Sequence, residues 1–268
     1  MKTFVIAEAG INHDGDLQRA KNLVEAAKEC GCSAVKFQTY KTELRVQKDN
    51  PAYYTLQRCE LDNEQQTQLK KHADDVGIEF LSTPFDAGAV DFLINDLGLR
   101  RIKLASFDVT NTKFLDIINK YGKQYSDLNV IMSCGMASSY DILSAIGILE
   151  DVFCLTLLHC ISSYPTPDLQ VNLSSINSLR DFACNVGYSD HTDGIIIPAM
   201  AVLVGATVVE KHFTLSLDGP GVDNPVSADP KMMKEMIDII KRYEKILGDG
   251  NLEICDIEKA AMVFRRVS

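Results

Sequence analysis

The feature that most constrains the fold is an alternation of short β-rich runs with amphipathic helical segments along the chain. The runs occupy residues 3–10, 34–40, 79–85, 101–106, 129–135, 153–160, 185–192 and 207–214. Helical periodicity appears between them, for example in LQRAKNLVEAAKEC and NEQQTQLKKHADDVG. Such alternation predicts βαβ units and a parallel sheet. Eight units predict a closed (β/α)₈ TIM barrel, with a doubly wound open sheet as the alternative.

The placement of polar residues favours the barrel. Most runs end in polar side chains: Glu8, Lys36, Gln38, Ser82, Thr83, Lys103, Ser106, Ser133, His159 and residues 189–191 and 210–212. Barrel enzymes collect catalytic groups from the C-terminal ends of many strands, whereas an open sheet concentrates them near one switch point. We therefore expect a site at the C-terminal end of a barrel.

Length, composition and charge bound the function. The 268 residues suit one catalytic domain over residues 1–268, in which residues 248–268 form a weakly periodic tail. The apolar fraction of 46% is enough for a large core. A formal net charge of −10 argues against a surface for nucleic acid or anionic membrane, but not against a small anionic substrate.

Cysteine usage and the N-terminal residues favour a cytoplasmic protein. The opening MKTFVIAEAG reaches Glu8 and Gly10 too early for a signal-peptide core, and the longest apolar stretch, residues 195–206, is about half a membrane span. We expect reduced, mostly buried thiols, because none of the eight cysteines forms a CxxC pair. They are Cys30, Cys32, Cys59, Cys134, Cys154, Cys160, Cys184 and Cys255.

Two histidines end successive predicted strands, His191 in GYSDHT and His212 in EKHFT. Neutral imidazole is a common ligand of catalytic metals, and two such ligands leave positions open for a substrate oxygen. We expect one divalent ion on this pair. Two hydrogen-bonded core histidines are the alternative.

Two lysines lie inside otherwise apolar runs, Lys36 and Lys103. Buried lysines need an anionic partner, so two of them at one barrel mouth predict a phosphate or carboxylate site. A salt bridge to a structural carboxylate is the alternative for each, and a Schiff-base role is a third. Further donors are expected from Ser106, Ser133 and Ser189.

Glu8 and two loops complete the candidates. Glu8 suits a base or hydroxyl-orienting role, or a partner for one of the lysines, and these roles can coexist. His13 and Asp14 fit loop structure or helix capping better than metal binding. We expect residues 45–62 to form a long loop that acts as a lid or binding segment. Residues 217–230 are either a rigid connection into the last helix or a source of Asp223 for a substrate hydroxyl.

These residues fall in motifs that resemble, in order and spacing, those of the sialic acid synthase family. The resemblance covers residues 4–247 and rests on EAGINHDG, VKFQT, LSTPFD, IKLASFDVTN, IMSCGMAS, LLHCISSYPTP, GYSDHT and EKHFT. It implies a TIM barrel that condenses phosphoenolpyruvate with an N-acetylated amino sugar to give a nonulosonic acid and phosphate. N-acetylmannosamine or a related 2,4-diacetamido sugar would be the acceptor.

The resemblance also implies roles for individual residues. A manganese-type ion, with magnesium or cobalt as alternatives, would lie on His191 and His212. Phosphoenolpyruvate would be bound by Lys36, Lys103, Thr83, Ser106, Ser133 and Ser189, with Ser162 near it. The acceptor sugar would face Glu8, Gln38, Tyr164 and Asp223.

The chain departs from the family pattern at several points. Ser162 replaces a common Asn, residues 106–108 read SFD in place of SGE, and Cys134 replaces a common Thr. Relatives usually carry a C-terminal antifreeze-like domain that lends an arginine to the sugar site of the partner in a homodimer. This chain ends near the expected linker, so we expect weak handling of the sugar, unless a separately encoded cap or residues 45–62, with Arg45, Lys48 and Arg58, cover the site.

Two other functions remain as alternatives at this stage. One is a different metal-dependent 2-keto-3-deoxy acid synthase or aldolase, although no basic cluster for a distal phosphate is evident. The other is a non-catalytic barrel that pairs with an active synthase. The charged residues and histidines named above argue against this second alternative.

Overall fold

Eight parallel strands form a nearly closed barrel in the computed structural model, which describes residues 2–182 and 185–266. Hydrogen-bonded neighbours follow the order β3-β2-β1-β8-β7-β6-β5-β4, and β3 and β4 contact each other across the remaining gap. The strands are β1 Phe4–Gly10, β2 Ala34–Thr39, β3 Glu79–Pro84, β4 Arg101–Leu104, β5 Asn129–Ser133, β6 Cys154–His159, β7 Asn185–Asp190 and β8 Val208–His212. The predicted barrel is confirmed, and each predicted strand ends within two residues of the observed one.

Helices cover the outside of the barrel. They are α1 Leu17–Cys30, α2 Thr42–Arg45, α3 Tyr53–Cys59, α4 Asn63–Val76, α5 Ala87–Asp91, α6 Thr112–Gln124, α7 Ser139–Ile148, α8 Ser175–Arg180, α9 Ile196–Ala201 and α10 Pro230–Ile246. A π-helical turn, Phe92–Asp96, follows α5. Short 3₁₀ turns lie at Ser106–Asp108, Asp168–Gln170, Asn224–Val226 and Asp256–Phe264. As predicted, Pro230 occupies the first turn of α10.

Local sequence signals explain where the helices begin and end. Asp16 caps α1 by accepting hydrogen bonds from the backbone amides of the first turn. Leu23 and Ala27 lie on its buried face, one turn apart. Gly31, with φ of 89°, ends the helix in the left-handed conformation that glycine adopts without steric cost. These three local signals determine where α1 begins, where it ends and which face it turns toward the barrel.

An apolar layer fills the lower barrel interior and forms the floor of the upper part. Its members are Ile6, Ala34, Leu81, Ile131, Leu158 and Val208. Side chains two positions apart on a strand point to the same face, so the residues two places later also face inward. Those residues are Glu8, Lys36, Thr83, Ser133, Cys160 and Glu210. The change from apolar to polar therefore places a polar chamber at the C-terminal ends of the strands.

The segment expected as a long loop is partly helical, which corrects the prediction for residues 45–62. It contains α3 and begins at the last residue of α2. The buried side chains Tyr53, Leu56 and Cys59 explain why this polar sequence still forms a helix. We call residues 40–62 the β2–α4 excursion.

Burial of the cysteines follows the prediction with one exception. Five are buried, namely Cys30, Cys32, Cys59, Cys134 and Cys160, and Cys154 is partly buried. Cys255 lies exposed in the tail, because residues 248–266 do not pack on the barrel. Cys184 falls outside the described residues. In the described part of the chain, no helix combines the length and apolar character needed to cross a membrane.

Candidate active site

A cavity of about 270 Å³ opens at the C-terminal ends of the strands. Every site residue expected from the sequence lines it: Glu8, Lys36, Gln38, Thr83, Lys103, Ser106, Ser133, Ser162, Tyr164, Ser189, His191, His212 and Asp223. The structure thus brings together residues from all the strands and the loops that follow them. Further lining residues that the sequence analysis did not assign there include Glu210, Arg45, Phe85, Phe107 and Cys160.

Four buried charges occupy the floor of the cavity. Lys36 Nζ lies 2.5 Å from Glu8 Oε2 and 3.7 Å from Glu210 Oε2. Lys103 Nζ lies 3.7 Å from Glu210 Oε1. Both lysines contact carboxylates, as their alternative interpretation predicted, and both also line the cavity, as an anion site requires.

Hydroxyl groups supplement the two ammonium groups. Lys36 Nζ donates to Thr83 Oγ1 at 3.2 Å, and Lys103 Nζ donates to Ser133 Oγ at 2.5 Å. Ser189 Oγ faces the same space and is buried. Clustered donors of this kind suit a phosphate or carboxylate ligand, whose oxygens only accept.

The buried charges shift one another's pKa values. Burial would raise the pKa of Glu210, but Lys103, Lys36 and a hydrogen bond from Ser189 outweigh it and hold that pKa at about 2. Burial raises the pKa of Glu8 despite the nearby Lys36. Burial also opposes the charge on Lys36, yet Glu210 and Glu8 raise its pKa. For Lys103, burial prevails and lowers the pKa.

The two histidine rings lie 5.5 Å apart at the end of β7 and β8. His191 Nδ1 is 2.8 Å from the Ile161 carbonyl, which only accepts, so Nδ1 carries the hydrogen and Nε2 keeps its lone pair. His212 Nδ1 lies 3.4 Å from Asp223 Oδ2. Burial and then His212 lower the pKa of His191 to about 3, so that ring is neutral at physiological pH.

This arrangement fits a divalent metal ion. Metal-binding histidines commonly direct their second ring nitrogen at a carbonyl or carboxylate, as His191 and His212 do here. In the described part of the chain, no cluster of three or more His, Cys, Asp or Glu side chains has the geometry of a metal site. An ion held by the two histidines would therefore keep positions for water or substrate.

A buried ion pair lies next to both histidines in the chain. Lys211 Nζ lies 2.6 Å from Asp190 Oδ2, with neither side chain exposed, and also donates to the Thr192 carbonyl at 2.6 Å. Each of these residues is next to a histidine in the chain. The pair ties the end of β7 to β8 and so fixes the spacing of the two rings.

A close backbone approach shapes the wall near Ser106 and Ser162. A Cβ atom at Gly135 would lie 2.4 Å from Ser162 Oγ and 2.9 Å from Ser106 Oγ. Gly135 instead donates its backbone N–H to Ser106 Oγ at 3.0 Å. Ser162 and Ser106 can therefore face the cavity together only because residue 135 has no side chain.

Aromatic rings stand over the metal-binding side and the mouth. Tyr164 is half exposed, and its ring centroid lies 4.1 Å from that of His191. Phe107 is largely exposed at the mouth. The floor of the cavity is therefore polar and its rim is apolar, which suits a ligand with a polar reacting end.

Two charged residues of the cavity were not assigned to it from the sequence. Glu210 precedes His212 by two positions, so strand alternation could have identified it. Arg45 was named only as a residue that could cover the site, and no local pattern places its side chain in the wall. His13 and Asp14 have the structural roles expected of them: His13 Nδ1 accepts the Gly15 amide hydrogen, and Asp14 pairs with a residue of the β2–α4 excursion.

The chain was compared with protein families, curated proteins and solved structures. It matches the NeuB family over residues 23–252. It is 45% identical to an uncharacterised protein of Methanocaldococcus jannaschii, over 99% of this chain and 78% of that protein. It is 42% identical to the N,N'-diacetyllegionaminic acid synthase of Legionella pneumophila, over 96% of this chain and 77% of that enzyme.

A solved structure agrees with this match. The N-acetylneuraminic acid synthetase of Leptospira borgpetersenii superposes with a TM-score of 0.92 at 35% identity, covering 99% of this chain and 92% of that one. Family match, sequence identity and fold all extend over most of the chain. The chain therefore belongs to the NeuB family.

Proposed function

We propose that this chain condenses phosphoenolpyruvate with an N-acetylated amino sugar to give a nonulosonic acid and phosphate. The observation that carries the proposal is the cavity floor, where Lys36 and Lys103 lie beside His191 and His212. The functions of two relatives, synthesis of N,N'-diacetyllegionaminic acid and of N-acetylneuraminic acid, support it.

The lysine end of the cavity suits phosphoenolpyruvate. Lys36 and Lys103 would hold its phosphate and carboxylate, with the hydroxyls of Thr83 and Ser133 as further donors. In a buried site such charge-assisted contacts are stronger than in water and resist reorganisation.

The histidine end would hold a divalent ion, for which we propose manganese, with magnesium or cobalt as alternatives. When bound, such an ion supplies Lewis-acid polarisation of a carbonyl oxygen. The Ile161 carbonyl and Asp223 orient the two rings for this task. Tyr164, whose ring centroid lies 4.1 Å from that of His191 with the planes tilted by 39°, would limit the side from which an acceptor can enter.

The proposed reaction balances without any further reactant than water. C3 of phosphoenolpyruvate forms a bond to the aldehyde carbon of the open-chain sugar. Water oxygen adds to C2, and the bond between C2 and the phosphate oxygen breaks. One water proton ends on the hydroxyl formed from the aldehyde oxygen and the other on the released phosphate, and the water oxygen becomes the keto oxygen at C2.

Two carboxylates would serve these steps in different ways. Glu8 faces the cavity from β1 and is the group that we assign to proton transfer. Glu210, held between Lys36 and Lys103, would stabilise positive charge that develops at C2. The two roles differ because the two lysines hold the pKa of Glu210 at about 2, so it stays ionised, whereas burial raises the pKa of Glu8 and suits it to exchange a proton.

A phosphate-release assay with phosphoenolpyruvate, manganese and a panel of N-acetylated hexosamines tests the proposal. We expect phosphate release only when both substrates are present, with one phosphate for each acceptor consumed. Glu8→Gln should stay folded, with a lower melting temperature because Lys36 loses its nearest carboxylate, and should lose at least about 100-fold in turnover. Failure of every hexosamine would overturn the proposal, and activity with a phosphorylated sugar instead would favour another 2-keto-3-deoxy acid synthase.

A further inference from the structure

The two ends of the β2–α4 excursion are joined to each other, and its C-terminal end is also held to the barrel. Glu60 accepts hydrogen bonds from the backbone N–H and the hydroxyl of Thr42, each at 2.8 Å. Arg58 Nη2 lies 2.7 Å from Asp14 Oδ1 on the loop that follows β1. The position of α2 over the cavity is therefore held by contacts outside the cavity itself.

Arg45 ends α2 and reaches back to the cavity mouth. Its guanidinium carbon lies 3.7 Å from the centroid of the Phe85 ring and 4.6 Å from that of Tyr40. One Nη1–H donates to Gln38 Oε1 at 2.8 Å. Two rings and an amide thus hold the guanidinium in place, and the bond to Gln38 engages one of its five donors.

The contact with Arg45 decides which way the Gln38 amide faces. A guanidinium has no acceptor, so Gln38 must present its oxygen to Arg45 and its nitrogen to the other side. That nitrogen lies 3.4 Å from Glu8 Oε1. A Cβ atom at Gly10 would be 3.2 Å from Glu8 Oε1, 3.3 Å from Asp223 Oδ2 and 3.5 Å from Gln38 Nε2, so these groups converge on one point of the wall.

The charges around Arg45 indicate what it can bind. Burial lowers the pKa of Arg45, and Asp223, Glu8 and Asp108 oppose that shift. Glu8 Oε1 and Asp223 Oδ2 also meet beside the Gln38 amide that Arg45 contacts, so a phosphate group there would face two carboxylates. An uncharged oxygen, such as a sugar hydroxyl or an acetamido carbonyl, fits the remaining donors.

We propose that Arg45 binds the acceptor sugar through an uncharged oxygen and keeps Gln38 turned toward Glu8. The inference rests on the proposed function and adds a specificity residue to it from within the barrel chain.

Steady-state kinetics on Arg45→Met and Arg45→Lys test the inference, with phosphoenolpyruvate, manganese and N-acetylmannosamine or 2,4-diacetamido-2,4,6-trideoxymannose as acceptor. Arg45→Met should raise the acceptor KM about 10- to 100-fold and that of phosphoenolpyruvate by less than about 3-fold. Arg45→Lys should recover only part of the loss, because an ammonium group lacks the planar fork. Lys48→Met, an exposed charge on the same excursion, is the matched control and should behave as wild type.

Two results would overturn the inference. One is an acceptor KM in Arg45→Met that is unchanged or rises only in parallel with that of phosphoenolpyruvate. The other is a wild-type preference for N-acetylmannosamine 6-phosphate that Arg45→Met loses, which would make Arg45 an anion site. Saturation-transfer NMR of sugar binding to wild type and Arg45→Met gives the same comparison without turnover, so an inactive wild type would count against the proposed function alone.

Discussion

Lys36 and Lys103 differ in how many buried carboxylates each neutralises. Lys36 contacts both Glu8 and Glu210, whereas Lys103 contacts Glu210 alone, at 3.7 Å. Lys36→Met should leave two buried carboxylates facing each other and lower the free energy of unfolding by about 3–5 kcal/mol. Lys103→Met affects Glu210 alone, and Lys36 still lies 3.7 Å from that carboxylate, so we expect a smaller loss, below about 2 kcal/mol.

Urea unfolding at neutral pH measures this difference between the two lysines. Calorimetric titration on the same preparations should show phosphoenolpyruvate affinity reduced at least about 30-fold in both variants. Equal destabilisation by Lys36→Met and Lys103→Met would contradict the unequal charge balance described here. Unchanged affinity in both would remove the lysines from the donor site.

His13 makes stability depend on pH. Its side chain is 1% exposed, and burial lowers its pKa to about 4. Between that value and about 6.5 the unfolded chain binds a proton at this histidine and the folded chain does not. The contribution of neutral His13 to the free energy of unfolding is therefore complete above about pH 6.5 and is lost as the pH falls toward 4.

Replacement of His13 should remove this dependence. We expect wild type to lose about 2 kcal/mol more than His13→Gln between about pH 7 and pH 5. Chemical unfolding of both proteins across that range gives the comparison. Titration of the other groups changes the free energy of unfolding of both proteins equally and so cancels in the difference. Parallel curves for the two proteins would show that His13 titrates normally in the folded state.

At the scale of elements, the β2–α4 excursion depends on Glu60. This carboxylate accepts two hydrogen bonds at the start of α2 and also pairs with Lys41, 3.1 Å away. Glu60→Ala should weaken the excursion by about 1–2 kcal/mol, a cost typical of losing a helix cap. The acceptor KM should rise because Arg45 loses its fixed position, while phosphoenolpyruvate affinity stays constant.

Hydrogen–deuterium exchange locates that effect. Amides of residues 41–47 should exchange faster in Glu60→Ala, while those of β1 and β8 should not change. Glu60→Gln, which keeps an acceptor oxygen, is the matched variant and should show a smaller increase. Unaltered exchange in Glu60→Ala would mean that the ring contacts of Arg45 alone hold the excursion.

For the whole molecule, metal binding should appear as thermal stability. A ligand that binds only the folded state at a hundredfold excess over its Kd adds about 3 kcal/mol. Manganese should therefore raise the Tm of wild type, and a chelator should reverse the rise. His191→Gln combined with His212→Gln is the control, and an equal rise in that variant would place the ion elsewhere.

Much of this architecture could be predicted from local sequence. Alternation along a strand is a property of the backbone, so the inward positions of Ile6 and Glu8, or of Ala34 and Lys36, follow from spacing alone. The C-terminal position of the polar residues then follows from the barrel. The helical excursion was mistaken for a loop because its short helices depend on buried contacts rather than on periodicity.

Contacts between distant parts of the chain could not be predicted from the sequence, because they form only in the closed barrel. Local patterns are sufficient for the eight βα units, the inward face of each strand and the residues at the strand ends. The closed barrel is needed to place Glu210 between Lys36 and Lys103, and Arg45 against Phe85 and Gln38. The physical reason is that facing direction is set by a residue's own backbone, whereas these distances are set by the packing of strands and excursions that meet only when the barrel closes.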